Sequence, residues 1–319
     1  MNRRLTLVLL ALISMVAFGR AAAQAPLVLD PAKLRLASLN AVVIDASANR
    51  PVYAKGANDV TPIASLTKLM TAIVTLDAGL PLDEAIAIDV DDLDYLKGTT
   101  SRLRMGVALP RREMLRLALM SSENRAASSL ARNYPGGTPA FVAAMNARAA
   151  SLGMVHTSFS DPTGLSARNV STANDLATLV ATAAQYPQIR EFSTTGSHYV
   201  EVQPTGQLLG FNNTNSLVKS VQWDIQVSKT GYIREAGKCL VMLATIASKP
   251  FVIVLLDSAG KYTRQGDAQR VRHWLETGQP LPVVAAKPAA PKSRKGKTTA
   301  AVVPPTRFAA SQRPAAPRG

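Results

Sequence analysis

The sequence predicts an α+β fold: an antiparallel sheet whose two halves come from opposite ends of the chain, with helices between them. Three observations point to it. Short β-rich runs lie near residue 40 and again beyond residue 224, the intervening stretch has helical periodicity, and strands and helices do not alternate in the βαβ manner.

Residues 39–56, "LNAVVIDASANRPVYAKG", read as a strand over Ala41–Asp45, a polar corner, and a second strand over Pro51–Ala54. A helix follows from about Ser65 to Asp77, with Leu66, Leu69, Met70, Ile73 and Val74 as its apolar stripe and Gly79 and Pro81 closing it. Arg111–Leu119 and Ala126–Tyr134 read as two helices flanking "MSSEN". "TPAFVAAMNARAASLGM" is another, ended by Gly153, and "STANDLATLVATAAQY" another, with Ser171 or Thr172 as its cap and Asp175 in its first turn. The pattern then changes to strands: "DIQVSKTGY", "KCLVMLATIA" and "PFVIVLLDS", with a tight corner at Ser248-Lys249-Pro250. "DAQRVRHWLETG" closes the body as a helix. Linker composition begins only near Pro280, so residues 30–278 are expected to form one domain.

The chain opens with Arg3 and Arg4, an almost wholly apolar run from Leu5 to Phe18, and small residues at Ala21-Ala22-Ala23-Gln24-Ala25. That is the pattern of a secretory signal peptide over residues 1–25, too short for a comfortable membrane span, and it implies export to the periplasm, with an uncleaved N-terminal anchor as the rival reading. The formal charge of +15 suggests nucleic acid until it is located. Residues 281–319 hold eight basic and no acidic side chains, and residues 1–25 hold three more; removing both from +15 leaves +4 for the body. A nucleic-acid partner is therefore not expected. The Pro/Ala/Lys-rich tail has too little apolar surface to offset its chain entropy, so disorder is expected, with electrostatic contact to an anionic wall or membrane surface as its one foreseeable interaction. The lone Cys239 excludes an internal disulfide and reads as a buried strand residue.

The stretch "PIASLTKLM" places Lys68 three residues after Ser65. Successive helical residues turn by ~100°, so the two side chains sit ~60° apart on one edge. A serine at a helix start meets free N–H groups and the positive dipole end, and a partly desolvated lysine one turn on is a candidate base. Alone the spacing is weak: Ser65 could be a simple cap, Ser216-Leu217-Val218-Lys219 repeats the pattern, and Ser38-Leu39-Asn40 mimics the next motif. Order supplies the specificity. Ser122-Glu123-Asn124 follows Ser65 by 57 residues at a break between helices, and Lys229-Thr230-Gly231 follows Ser122 by 107 at the end of a β run. Ser-x-x-Lys, Ser-Asp-Asn and Lys-Thr-Gly are the signatures of penicillin-binding proteins and class A β-lactamases, and the chain carries them in order with Glu123 at the middle place of the second.

A division of labour follows. Lys68 takes the Ser65 proton and Ser122 relays one toward the leaving amine. Asn124 holds Lys68 or the substrate amide, Lys229 offers a cation and Thr230 a hydroxyl to a substrate carboxylate, and Gly231 permits close backbone approach. By analogy with the motif's geometry, the backbone N–H groups of Ser65 and Tyr232 form the oxyanion hole.

With "PIASLTKLMTAIVTLD", "MLRLALMSSENRAA", "YPGG", "MNARAASLGM", "DPTGLS", "NVSTANDLATL", "NTNSLV", "IQVSKTG" and "GKYTRQGDAQRVRHWLETG", the chain resembles the low-molecular-mass penicillin-binding proteins over about residues 38–278. These are the serine D-Ala-D-Ala peptidases, and the likeness is to the D-alanyl-D-alanine endopeptidase branch of the penicillin-binding protein 7/8 type. The resemblance implies hydrolysis of D-Ala-containing peptidoglycan cross-links through an acyl-serine, acylation by β-lactam antibiotics, and no metal or organic cofactor. Carboxypeptidases of the same group usually append a β-rich domain and an amphipathic anchor, neither of which the tail here accommodates; D-Ala-D-Ala carboxypeptidase activity stands as the alternative. One departure is Ile233, where these enzymes commonly carry Thr or Ser.

Other chemistries fit less well. A zinc endopeptidase needs clustered ligands, and His156, His198 and His273 are dispersed. A Ser-His-Asp hydrolase needs a Gly-x-Ser-x-Gly elbow, which Ser65 lacks. A class A β-lactamase needs an added deacylating glutamate, and no Glu-x-x-Leu-Asn segment lies between Ser122 and Lys229. A non-catalytic wall-binding protein would fold the same pocket and never acylate.

Overall fold

The computed structural model describes residues 27–260 and 262–281. The segment expected to be a signal peptide (residues 1–25) and all but the first residue of the expected tail (residues 281–319) lie outside the described residues.

Strands β1 (Asn40–Asp45) and β2 (Arg50–Lys55) form the opening hairpin, its corner held by the Asp45 carboxylate, which accepts from the Ser47 and Ala48 N–H groups at 3.0 and 3.2 Å. There follow β3 (Thr61–Pro62), α1 (Lys68–Asp77), β4 (Ala85–Ala87), β5 (Ala108–Pro110), α2 (Arg111–Met120), α3 (Asn124–Arg132) and α4 (Gly137–Ser151). After these come β6 (Val170–Ser171), α5 (Ala173–Ala183), α6 (Pro187–Thr194) and a hairpin of β7 (Ser197–Val202) and β8 (Gln207–Asn212). β9 (Asp224–Ile233), β10 (Gly237–Ile246), β11 (Lys249–Ser258) and α7 (Thr263–Thr277) complete the body.

The main sheet has the order β2-β1-β11-β10-β9, every neighbour antiparallel. Its halves do come from opposite ends of the chain, as expected. The three central strands carry apolar residues on both faces, which is why "FVIVLL" does not alternate. On β11, Val252, Val254 and Leu256 join the larger core with α1 to α6, while Phe251, Ile253 and Leu255 join a second core with Val271 and Trp274 of α7. A one-residue slip would exchange these two sets, so the register is tightly specified.

Several boundaries differ from expectation. The segment read as one helix from Ser65 is a 3-10 turn over Ala64–Thr67, with the α-helix starting at Lys68. Of the two caps expected for α5, the structure uses Thr172, its hydroxyl accepting the Asp175 N–H at 3.1 Å. The corner between β10 and β11 is Ala247-Ser248, both with positive φ (48° and 63°), the two-residue turn whose twist suits a hairpin; Lys249 and Pro250 already belong to the strand. Helix α6 and the β7–β8 hairpin were not expected. The hairpin buries Val200, Val202 and Phe211 on one face while Glu201, Leu208 and Asn212 face solvent, so its sequence reads as polar and broken.

The strand that matters most is β9. It is the sheet's edge, paired on one side only with β10, and the 3-10 turn carrying Ser65 packs against it. The sequence places Lys229-Thr230-Gly231 on this strand, so the sheet edge and the start of α1 meet by construction.

Candidate active site

Helix α1 is buried around its whole circumference, from Lys68 to Thr75, because α2, α3, α4, α5 and α6 all pack against it. Lys68 is therefore carried inside rather than onto an exposed edge, and its relative exposure is 0%. Its ammonium nitrogen meets three acceptors: Ser65 Oγ at 2.9 Å, Asn124 Oδ1 at 2.7 Å and the Thr163 carbonyl at 2.6 Å. Burial pulls the Lys68 pKa down to about 7, against the opposing pull of the Asp161 and Glu123 carboxylates. Near neutral pH a large share of the amine is unprotonated beside the serine hydroxyl.

Ser65 sits in a strained turn. Ala64 has φ 49°, a left-handed conformation that a non-glycine residue adopts at a cost on the order of 1–3 kcal/mol. The surroundings hold it there. The Thr67 hydroxyl donates to the Ala64 carbonyl at 2.8 Å, the Asn169 amide donates to that hydroxyl at 3.0 Å, and the Ile63 N–H donates to the Asn169 carbonyl at 3.0 Å. Two glycines press on the same turn. A Cβ on Gly231 would lie 2.9 Å from the Ile63 carbonyl and 3.2 Å from Ser65 N; one on Gly164 would lie 1.9 Å from the Ala64 carbonyl. The glycine of the third motif thus admits the backbone of the Ser65 turn.

Ser122 stands in the two-helix break, also left-handed at φ 61°. The Glu123 N–H donates back to the Leu117 carbonyl at 3.1 Å, and the Glu123 carboxylate accepts the Arg125 N–H at 3.3 Å, which fixes the junction from α2 into α3. Lys229 donates to Ser122 Oγ at 3.0 Å and to the Thr230 carbonyl at 2.8 Å. It is 1% exposed, and burial, with Lys68 and Arg264 nearby, holds its pKa well below the usual lysine value. The Thr230 hydroxyl donates to the Thr214 hydroxyl at 2.6 Å.

These groups surround a cleft of about 420 Å³ whose lining includes Ser65, Ser122, Asn124, Thr214, Thr230, Gly231, Tyr232 and Ile233. All seven motif residues predicted from sequence meet here, with Lys68 and Lys229 just beneath the surface. Tyr232 is exposed at the rim, and Ile233, at 6% exposure, forms an apolar wall. The two look-alike motifs are elsewhere. Ser38 bonds Asp267 and Ser258, Asn40 bonds Gly56 and Asp59, and Lys219 bonds Asn212. His198 is spent on Glu113 at 2.7 Å, and among the described residues no cluster of three or more His, Cys, Asp or Glu is placed to hold a metal.

Sequence reasoning missed four contributors. Thr163 supplies the carbonyl that meets Lys68. Asp161 builds its loop by accepting from Thr163 N, Thr163 Oγ1, Gly164 N and Ser166 N at 2.6–3.0 Å. Thr214 partners Thr230, and the Thr99 hydroxyl accepts from Asn124 Nδ2 at 3.0 Å. The first three lie in "DPTGLS" and "NTNSLV", segments that carried the family resemblance without an assigned role; the Asp-Pro-x-Gly turn signal was the available clue.

The geometry agrees with what the chain is similar to. The sequence pattern of the D-alanyl-D-alanine carboxypeptidase family matches residues 25–260. A D-alanyl-D-alanine endopeptidase of Pseudomonas aeruginosa is 50% identical over 92% of this chain and 93% of its own. One from Escherichia coli K12 is 46% identical over 93% of this chain and 96% of its own. Among solved structures, the Streptomyces K15 DD-transpeptidase superposes with a TM-score of 0.71 at 27% identity, over 76% of this chain and 98% of that one.

Proposed function

The chain belongs to the D-alanyl-D-alanine carboxypeptidase family, and on that premise we propose that it is a serine DD-endopeptidase that hydrolyses D-Ala-containing cross-links of peptidoglycan. The observation that carries the reading is Ser65 Oγ at 2.9 Å from a buried amine with a pKa near 7, at a cleft edged by Ser122 and Thr230.

In this reading Lys68, as the free amine, takes the Ser65 proton while Oγ attacks the D-Ala carbonyl carbon. The new ammonium is received by Asn124 Oδ1 and the Thr163 carbonyl. The N–H groups of Ser65 and Tyr232 stabilise the oxyanion. Collapse breaks the peptide bond, with Ser122 passing a proton to the leaving nitrogen, and water then hydrolyses the acyl-serine by the reverse roles. Thr230 and Thr214 hydroxyls meet the carboxylate beside the leaving nitrogen, and the Lys229 charge acts from beneath through Ser122 and the strand. Among the described residues no carboxylate lines the cleft, so nothing there is placed for the fast deacylation a class A β-lactamase needs. The acyl-enzyme formed with a β-lactam is accordingly long-lived. We further place the enzyme in the periplasm, on the signal pattern of residues 1–25, with the basic tail near anionic wall or membrane surfaces.

The test pairs a fluorescent penicillin with digestion of purified sacculi, products identified by mass. Wild-type protein labels stably and converts cross-linked dimers to monomers; Ser65→Ala does neither. Cleavage by Ser65→Ala overturns the assignment. Release of free D-Ala without loss of cross-links replaces it with a carboxypeptidase.

A further inference from the structure

One ion pair crosses the mouth of the cleft. Lys97 Nζ lies 2.6 Å from Glu235 Oε1, joining the loop after residue 93 to the turn between β9 and β10. Lys97 itself lines the cleft, as does Arg234 beside Glu235. The loop is a small rigid turn. The Asp94 carboxylate accepts from the N–H groups of Leu96, Lys97 and Thr99, each at 2.9 Å, and from Thr99 Oγ1 at 2.6 Å. At its tip Tyr95 and Leu96 are exposed, so polar tethers hold the turn there rather than apolar packing.

Position along β9 says which part of a substrate this roof covers. Thr230, the carboxylate contact of the reading above, comes first, Gly231 lies against Ser65, and Tyr232 to Arg234 continue the cleft beyond the nucleophile. A chain whose carboxylate end lies at Thr230 and whose reacting carbonyl lies at Ser65 runs its acyl side past Tyr232 and Ile233, under Lys97. The roof also touches the chemistry: Thr99 is bonded to Asn124, and Asn124 to Lys68.

We propose that the Lys97–Glu235 pair is a specificity-determining clamp over the acyl-side subsite, set so that bulky, peptide-bearing acyl groups must open it whereas small acyl groups bind beneath it closed. This rests on the reading of the site as a DD-peptidase. Both partners are about one-third or more exposed, at 32% and 41%, so the pair is weak and salt-screened. An exposed pair of this kind is worth at most a few-fold in an equilibrium, which is the right size for a gate that substrates open.

The experiment compares kcat/KM for a cross-linked muropeptide dimer with kcat/KM for a small N-acetylated D-Ala-D-Ala peptide. Glu235→Gln raises the dimer-to-small ratio by up to about fivefold. Wild-type protein in 0.5 M NaCl shifts the same way, the variant does not respond to salt, and the reversed pair Lys97→Glu/Glu235→Lys restores the low ratio. An unchanged ratio in Glu235→Gln overturns the clamp, and so does a fall, which would make Glu235 a substrate contact. Fluorescent penicillin labelling is run in parallel. Wild-type protein that fails to label defeats the DD-peptidase reading itself, whereas normal labelling with an unmoved ratio defeats only the clamp.

Discussion

Gly164 and Ala64 approach so closely that a methyl group on the glycine would lie 1.9 Å from the Ala64 carbonyl oxygen and 2.9 Å from Ser65 N. Gly164 also has φ 81°, so a side chain there is strained even without the clash. Gly231 is less severe, with its nearest atom at 2.9 Å and an ordinary φ. Gly164→Ala is therefore expected to lower stability by several kcal/mol and to displace Ser65. Gly231→Ala is expected to cost about 1–3 kcal/mol and to slow acylation with the fold retained. Thermal denaturation and penicillin acylation rates on both variants check the order.

The rate of acylation should rise with pH through about 7, as Lys68 loses its proton and becomes a base. Asp161 pulls that pKa upward, so Asp161→Asn lowers it further and moves the acid limb of the profile to lower pH. Stopped-flow acylation between pH 5 and 9 reads both; a limb that stays put in Asp161→Asn contradicts the electrostatic coupling. Lys68→Ala removes the base and should slow acylation by about 10²–10⁴-fold at every pH.

The same burial has a consequence for stability. The unfolded chain holds the Lys68 proton up to the ordinary lysine value of 10.5, whereas the folded chain releases it near 7. Between those values the unfolded state binds more protons, so stability rises with pH across the window, and below about 7 the folded state bears the full cost of a buried ammonium. Lys229 is depressed in the same direction. Lys68→Met is expected to flatten the rise measured by denaturant unfolding from pH 7 to 10, with its largest gain in relative stability on the acid side.

Removal of residues 282–319 should leave penicillin acylation and kcat on small muropeptides unchanged, since the described residues carry every group named in the site. Binding to intact sacculi is expected to weaken with the loss of the eight tail cations, and more so at low salt. Sacculus pelleting assays at two salt concentrations measure it.

Local patterns made the sheet strands, most of the helices and the three motifs readable in advance. Val42 to Ile44 and Phe251 to Leu256 are apolar runs bounded by turns, and each motif is a contiguous word. The β7–β8 hairpin escaped because its buried Val200, Val202 and Phe211 are diluted by polar neighbours, and α6 because eight residues are too few for a clear period. Thr163 escaped for another reason. Its role is played by a backbone carbonyl, which no side-chain pattern advertises, and it reaches Lys68 across 95 positions of chain.

By itself, the order of residues determined which chemistry was available: a serine, two lysines, a second serine and a glycine, each on a segment whose local structure follows from its own spacing. Tertiary structure alone decided that the Lys68 amine is desolvated, its pKa drawn down to about 7. A lysine at a helix start is a solvated cation unless five other helices close around it, and only that packing excludes the water that would keep its proton bound. Desolvation is a property of surroundings assembled from distant parts of the chain, so the words of the motif could name the amine but not its charge.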